Sequence, residues 1–169
     1  MLNRKPVGLK AIADMDAIDL KILDLLQREG RASHSDIAKA IGLSAPSVGE
    51  RVKKLESAKV IRRYVCLVEP AHVNRPVAAL IAVSLNKPIH AQAFLQRIRE
   101  LEDVLECYHV TGDMDYILKV RTRSMAALEA LISGDLRPLE GVVTTRTSVI
   151  LSSPKEETRL GLTIEDLPD

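Results

Sequence analysis

Apolar side chains recur at helical spacing over the first third of the chain. Ile18, Ile22, Leu25 and Leu26 share one face, Asp16 and Asp19 stand in the first turn where the helix dipole favours anions, and Gly30 ends the run. Ser33 followed by Asp36 has the form of a capping box, and Ile37, Ala38 and Ile41 give a short second helix closed by Gly42. Ser44 is a good N-cap for a third helix. Pro46 falls in its first turn, where a missing N–H is harmless, and Val48, Val52 and Leu55 repeat at i, i+4 and i+7. Three short helices with a glycine-containing turn of three residues between the second and third make a helix-turn-helix pattern.

The period changes after Tyr64. Val65 and Leu67 alternate ahead of a turn at Glu69-Pro70, which predicts a strand leading into a linker that runs through Pro76. Residues 77–85 form a near-continuous apolar run, and Phe94, Leu95, Ile98 and Leu101 mark one face of a helix from Ile89 to Leu101. Val104–Val110 and Tyr116–Val120 read as strands joined by Thr111-Gly-Asp-Met-Asp115. Met125–Leu139 contains a second helix, and Val142–Leu151 reads as a fourth strand with Thr145 and Thr147 turned outward. The order βαββαβ predicts a ferredoxin-like sandwich, one antiparallel sheet with two helices on one face. The other face is left open, and an apolar first strand leaves it to pack on another copy. The expected class is therefore α+β: a winged helix-turn-helix domain over 14–64, a linker strand over 65–76 and a ferredoxin-like domain over 77–153. A flexible basic arm over 1–13 precedes them, and a tail over 154–169 follows with no role assigned.

Composition taken whole argues against a nucleic-acid partner, because 24 Lys and Arg against 23 Asp and Glu leave a net charge of +1. By segment the balance is different. Residues 1–13 carry +3, residues 14–64 carry +2 and residues 65–169 carry −4, so near-neutrality is a cancellation between a basic third and an acidic remainder. The cations concentrate on and after the third helix, as Arg51, Lys53, Lys54, Lys59, Arg62 and Arg63 against Glu50 and Glu56. A lone helix with such a face is ordinarily just solvated. Third in this motif, opening with small residues and leading into Arg62-Arg63, it points to double-stranded DNA. Ser44, Ala45, Pro46, Ser47 and Glu50 stand nearest the base edges, while Arg51, Lys53, Lys54, Arg62 and Arg63 meet phosphates.

The remaining chemistry is sparse. One Phe, three Tyr and no Trp leave the cores to Leu, Ile, Val and Ala, and they rule out an aromatic stacking platform for single strands. Cys66 and Cys107 form no CxxC pair and four scattered His cannot complete a zinc site, so no metal is expected and both thiols read as buried and reduced. No apolar run approaches the ~20 residues of a membrane span, and a cytoplasmic protein is expected. There is no GxSxG, HExxH or Walker loop, and Asp113 and Asp115 have no His or Lys placed beside them, so no enzyme activity is assigned.

Three segments, Met15-Asp-Ala-Ile-Asp-Leu-Lys-Ile-Leu23, Leu43-Ser-Ala-Pro-Ser-Val-Gly-Glu-Arg-Val-Lys-Lys-Leu-Glu56 and Val110-Thr-Gly-Asp-Met-Asp-Tyr-Ile-Leu-Lys-Val120, closely resemble the leucine-responsive/AsnC family of transcription regulators. The resemblance runs from about residue 14 to 157. It implies a DNA-binding domain followed by a domain for amino-acid sensing and assembly, with dimers formed through the sheets and further assembled into tetramers or octamers. It implies no cofactor, only a small effector, commonly an amino acid, bound near the loop that matches Gly112-Asp113-Met114-Asp115. By position the contacts are Thr111, Gly112, Asp113 and Asp115, with Tyr108 and Thr145 beside them. A zwitterion needs acceptors for its ammonium and N–H or hydroxyl donors for its carboxylate, and this loop offers both. Where the family often has Gly after the third helix, this chain has Lys59, which must take a strained or altered turn.

Overall fold

The computed structural model describes residues 15–167, so the basic arm expected over 1–13 lies outside the described residues. The chain falls into two units. One runs to Cys66 and takes in the segment from Glu156 onward; the other spans Leu67–Lys155.

In the first unit, α1 (Ala17–Arg28), α2 (His34–Ile41) and α3 (Ala45–Ser57) follow the predicted pattern. Each begins where a short polar side chain can satisfy orphan amides. Asp16 accepts from the Ile18 and Asp19 N–H groups at 2.9 Å each, and the Asp19 carboxylate accepts back from the Asp16 N–H at 3.2 Å. Ser33 and Asp36 make the same reciprocal box on α2, and the Ser44 hydroxyl accepts from the Ser47 N–H at 3.3 Å on α3. Ile22, Ile37, Ala38, Val48, Val52 and Leu55 close into an all-aliphatic core. Burying each such side chain stabilises the unit by about 1.5–3 kcal/mol, alanine less.

The end of α3 explains Lys59. The Lys59 N–H donates to the Glu56 carbonyl at 3.0 Å and the Val60 N–H to the Leu55 carbonyl at 2.9 Å, the paired bonds of a Schellman cap. That cap requires a left-handed residue, and Lys59 takes φ 62°. Val60 in turn packs against the core that Leu55 belongs to.

Neither a wing nor the strand expected after Tyr64 is formed. Residues 62–69 are irregular, and a single turn of 3-10 helix, Pro70–Val73, follows. The β-prone pattern is there, but Tyr64, Val65, Leu67 and Val68 are exposed, and no strand of the described residues lies beside them to supply a ladder. Cys66 is exposed rather than buried, and Cys107 is half-buried.

The second unit carries β1 (Val77–Leu85), α4 (Ala91–Glu100), β2 (Val104–His109), β3 (Tyr116–Thr122), α5 (Met125–Ala130) and β4 (Val142–Val149). The four antiparallel strands are ordered β2-β3-β1-β4, with β1 and β3 central. Their inward positions Ala79, Ile81, Val83, Tyr116, Leu118 and Val120 pack on Phe94 and Ile98 of α4 and on Leu128, Leu131 and Leu136. Phe94 and Tyr116, with ring centroids 5.0 Å apart, are the aromatic centre of an otherwise aliphatic core. The second helix lies within the predicted 125–139: α5 ends at Ala130 and continues as a π-helical turn, Leu131–Leu136.

Register corrects the reading of β4. Thr145 aligns with Val83 and Thr147 with Ile81, so both face the helix side rather than outward. Side chains two apart share a face, and residues 145, 147 and 149 therefore go together. β4 lies at a sheet edge, and that position leaves Thr147 exposed even on the helix side.

Lys59→Gly should raise stability by about 0.5–1 kcal/mol, the left-handed cost removed less the unfolded-state entropy that glycine adds. Urea unfolding of the full chain reads this as a higher midpoint with an unchanged slope. A lower midpoint would mean that Lys59 is unstrained.

Candidate DNA-reading face and effector loop

With Val48, Val52 and Leu55 turned into the core, the opposite arc of α3 consists of Pro46, Ser47, Glu50, Lys53, Lys54 and Ser57. Ser47 is half-buried and the others are exposed, as are Arg62 and Arg63 beyond the cap. Ser44 is exposed, but its hydroxyl is engaged as the cap, and Ala45 packs partly against the core. Where α2 meets α3, a Cβ at Gly49 would lie a tight 3.2 Å from His34 Nδ1.

Arg51, expected among the phosphate contacts, is committed elsewhere. Its Nη1 donates to Asp16 Oδ2 and to Asp19 Oδ1, both at 2.8 Å, and Asp19 is buried. A buried carboxylate is costly without a cation, so Arg51 is the counter-ion that lets α1 carry Asp19 inward and ties α3 to the start of α1. On the helical wheel it flanks the apolar stripe, one residue before Val52, which is the signal that separates it from Lys53 and Lys54. Burial pushes the Asp16 carboxyl up, but bonds from the Asp19 and Ile18 amides and from Arg51 outweigh this and leave it below the ordinary value. The bonds to Asp19 and Asp16 raise Arg51 in turn.

In the second unit the loop Thr111–Asp115 closes the β2–β3 hairpin. The Val110 N–H donates to the Asp115 carbonyl and the Asp115 N–H to the Val83 carbonyl, both at 3.0 Å. The Asp115 carboxylate accepts from the Leu85 N–H at 2.7 Å. Asp115 is therefore a tether between the loop and the end of β1. Gly112 has φ 111°, a conformation closed to most side chains, and Thr111 and Asp113 are exposed at the tip.

The structure does not gather all six expected effector residues. The row His109, Tyr116, Val83, Thr145 faces the helices, whereas Tyr108, Ile117, Ala82 and Arg146 form the next row on the open face. Tyr108 and Thr145 therefore point to opposite sides of the sheet. Arg137 reaches Thr145 Oγ1 with its Nε at 3.3 Å, a neighbour that sequence spacing did not suggest. Among the described residues no group of three or more His, Cys, Asp and Glu could hold a metal ion, and no helix is long and apolar enough to cross a membrane.

Two family models match the chain, an AsnC-type helix-turn-helix domain over residues 15–56 and an Lrp/AsnC ligand binding domain over residues 78–160. The leucine-responsive regulatory protein of Haemophilus influenzae is 40% identical over 144 residues, 84% of this chain and 87% of that protein. Among solved structures, a transcriptional regulator of Neisseria meningitidis in complex with L-methionine superposes with a TM-score of 0.84 at 31% identity. The match covers 87% of this chain and 96% of that one. A feast or famine regulatory protein of M. tuberculosis complexed with L-methionine gives 0.79 at 32% identity, over 86% and 97%.

Replacing Arg51 by Ala leaves Asp19 buried without its cation and should cost about 3 kcal/mol, seen as a lowered melting temperature of the full chain. Because Asp16 titrates lower folded than unfolded, its contribution is complete above the ordinary value of 3.8 and is lost as pH falls through the folded value. Asp36 shifts the same way through the Ser33 hydroxyl and amide. The helical signal should therefore weaken below about pH 4, with a shallower acid transition in Arg51→Ala; equal acid profiles would contradict the ion pair.

Proposed function

The chain belongs to the Lrp/AsnC family of transcription regulators, and from that premise we propose that the outer arc of α3 reads duplex DNA while the β2–β3 loop answers to an amino acid. The observation that carries the DNA reading is the arc itself, a capped helix whose exposed side offers small residues first and cations after. Pro46, Ser47 and Glu50 lie nearest base edges in the major groove, with Ser44 and Ala45 setting the turn that delivers them. Lys53, Lys54, Arg62 and Arg63 meet phosphates, which fix register without reading sequence. Arg51 acts through α1 rather than on DNA. The relatives are transcription regulators, not enzymes, and no catalytic role is assigned.

The effector reading rests on the loop and on the two methionine-bound relatives. Asp113 accepts from an ammonium, Thr111 and the amides beside Gly112 donate to a carboxylate, and Asp115 holds the loop in place. Tyr108 and Thr145 stand off this tip. A second copy completes the protein: on the open face Leu80 and Ala82 of β1, with Ile117 and Tyr108 beside Ala82, form an apolar strip edged by Arg146 and Lys119, and Leu80 and Tyr108 are exposed, the composition of a face that packs on its like. Dimers formed this way join into larger assemblies that the effector biases through its different affinity for two states.

Lys54→Ala should weaken binding to all duplexes alike and lower the slope of log affinity against log salt by about one unit. A gel shift across salt concentrations reads it, and a loss of discrimination between sites would instead make Lys54 a base-reading residue. L-methionine titrated by calorimetry should bind the native chain and bind Asp113→Ala about tenfold or more weakly, the loss of one charge-assisted hydrogen bond. Identical heats from both would sink the loop as the site.

A further inference from the structure

The segment after residue 156, to which sequence patterning assigned nothing, belongs to the first unit and has specific partners on α1. Arg159 Nε donates to Asp24 Oδ1 at 3.0 Å, while Asp24 Oδ2 holds Arg28 at 2.8 Å, so one carboxylate bridges two cations. One turn further along α1, the Gln27 side-chain amide pairs with the backbone of Leu160 in both directions. The Leu160 N–H donates to Gln27 Oε1 at 2.8 Å, and Gln27 Nε2 donates to the Leu160 carbonyl at 3.1 Å. This is the pairing one backbone makes with another, reproduced by a side chain. The Arg159 N–H turns back to Glu157 Oε1 at 2.9 Å and shapes the segment for it.

We infer that residues 157–160 are a strap that fixes α1 and, through it, the recognition helix. Two features make it more than a resting tail. The chain leaves the first unit near Cys66 and returns near Glu156, so the strap gives that unit a second covalent connection to the sheet unit. And α1 is engaged at both ends: Asp24 and Gln27 hold the strap, while Asp16 and Asp19, at the opposite end of a helix about 18 Å long, hold Arg51 of α3. A constraint placed on the strap therefore reaches the DNA-reading helix through one rigid element. The contacts are exposed hydrogen bonds and one surface ion pair, worth together about tenfold to a hundredfold over the released state. That is enough to be occupied and weak enough to let go.

The spacing part of this inference rests on the DNA reading above, so the test has two readouts. Hydrogen exchange followed by mass spectrometry on the full chain should show the amides of Asp24–Arg28 exchanging about threefold to tenfold faster in Arg159→Ala. Deletion of residues 158–169 should do the same. Asp24→Asn and Arg159→Ala should combine less than additively, because they remove one contact. Gel shifts on duplexes carrying two copies of one half-site at varied separation should show the native chain preferring one spacing, and the preference should fall several-fold in Arg159→Ala while binding to a single half-site stays unchanged. Unchanged exchange overturns the strap, and so does faster exchange with unaltered spacing preference. If no duplex binds the native chain, the DNA reading fails and exchange alone decides the strap.

Discussion

The first unit depends on one electrostatic requirement: a carboxylate taken out of water must meet a cation. Asp19 is buried, and Arg51 is the group that meets it. Because these residues belong to the first and third helices, the ion pair sets where the recognition helix lies against α1, and the aliphatic core fills the space so defined. The exposed cations of α3 can serve DNA because one of their number does not. A helix with three bases and no inward partner would be free to rotate about its apolar stripe. Arg51 stops that rotation, and the arc from Pro46 to Ser57 keeps a fixed aspect.

The second unit solves a different problem with different means. Its core centres on β1 and β3, the two strands that have neighbours on both sides, and the helices cover only one face of them. Everything chemical sits at the margin: the hairpin loop at one end, an apolar strip edged by Arg146 and Lys119 on the uncovered face, the threonines of β4 along an edge. The two units divide the labour that their opposite charges already suggested, one holding a helix steady and the other presenting surfaces.

Most elements could be read from the chain because each is announced locally. Ser33, Ser44 and Gly42 mark helix limits through bonds that span three or four residues, and the change from helical to strand period after Tyr64 separates the units. What could not be read is set by contacts distant in sequence. Arg51 looks like Lys53 and Lys54 until Asp19, thirty-two positions away, is seen beneath it. The faces of Thr145 and Tyr108 follow from register, which β1 and β3 decide rather than β4 or β2. Asp113 and Asp115 are the same residue type two positions apart, yet one is a free tip and the other is bound to Leu85. The segment at Tyr64–Val68 has the composition of a strand, yet no strand of the described residues lies beside it, and composition cannot supply one. The tail carries no periodicity at all, and its partners on α1 lie more than 130 positions away.

The Asp115 tether has a kinetic consequence. A loop that orders only on meeting its ligand slows association and loses part of the binding free energy to lost chain entropy. Here three hydrogen bonds anchor the hairpin to its own base and to the central strand β1 before any ligand arrives. With the tip as the proposed effector site, arrival is limited by diffusion to an open surface, and no ordering of the loop has to precede binding. A protein that must track a fluctuating nutrient is better served by such a loop, since its response follows concentration without a lag of its own.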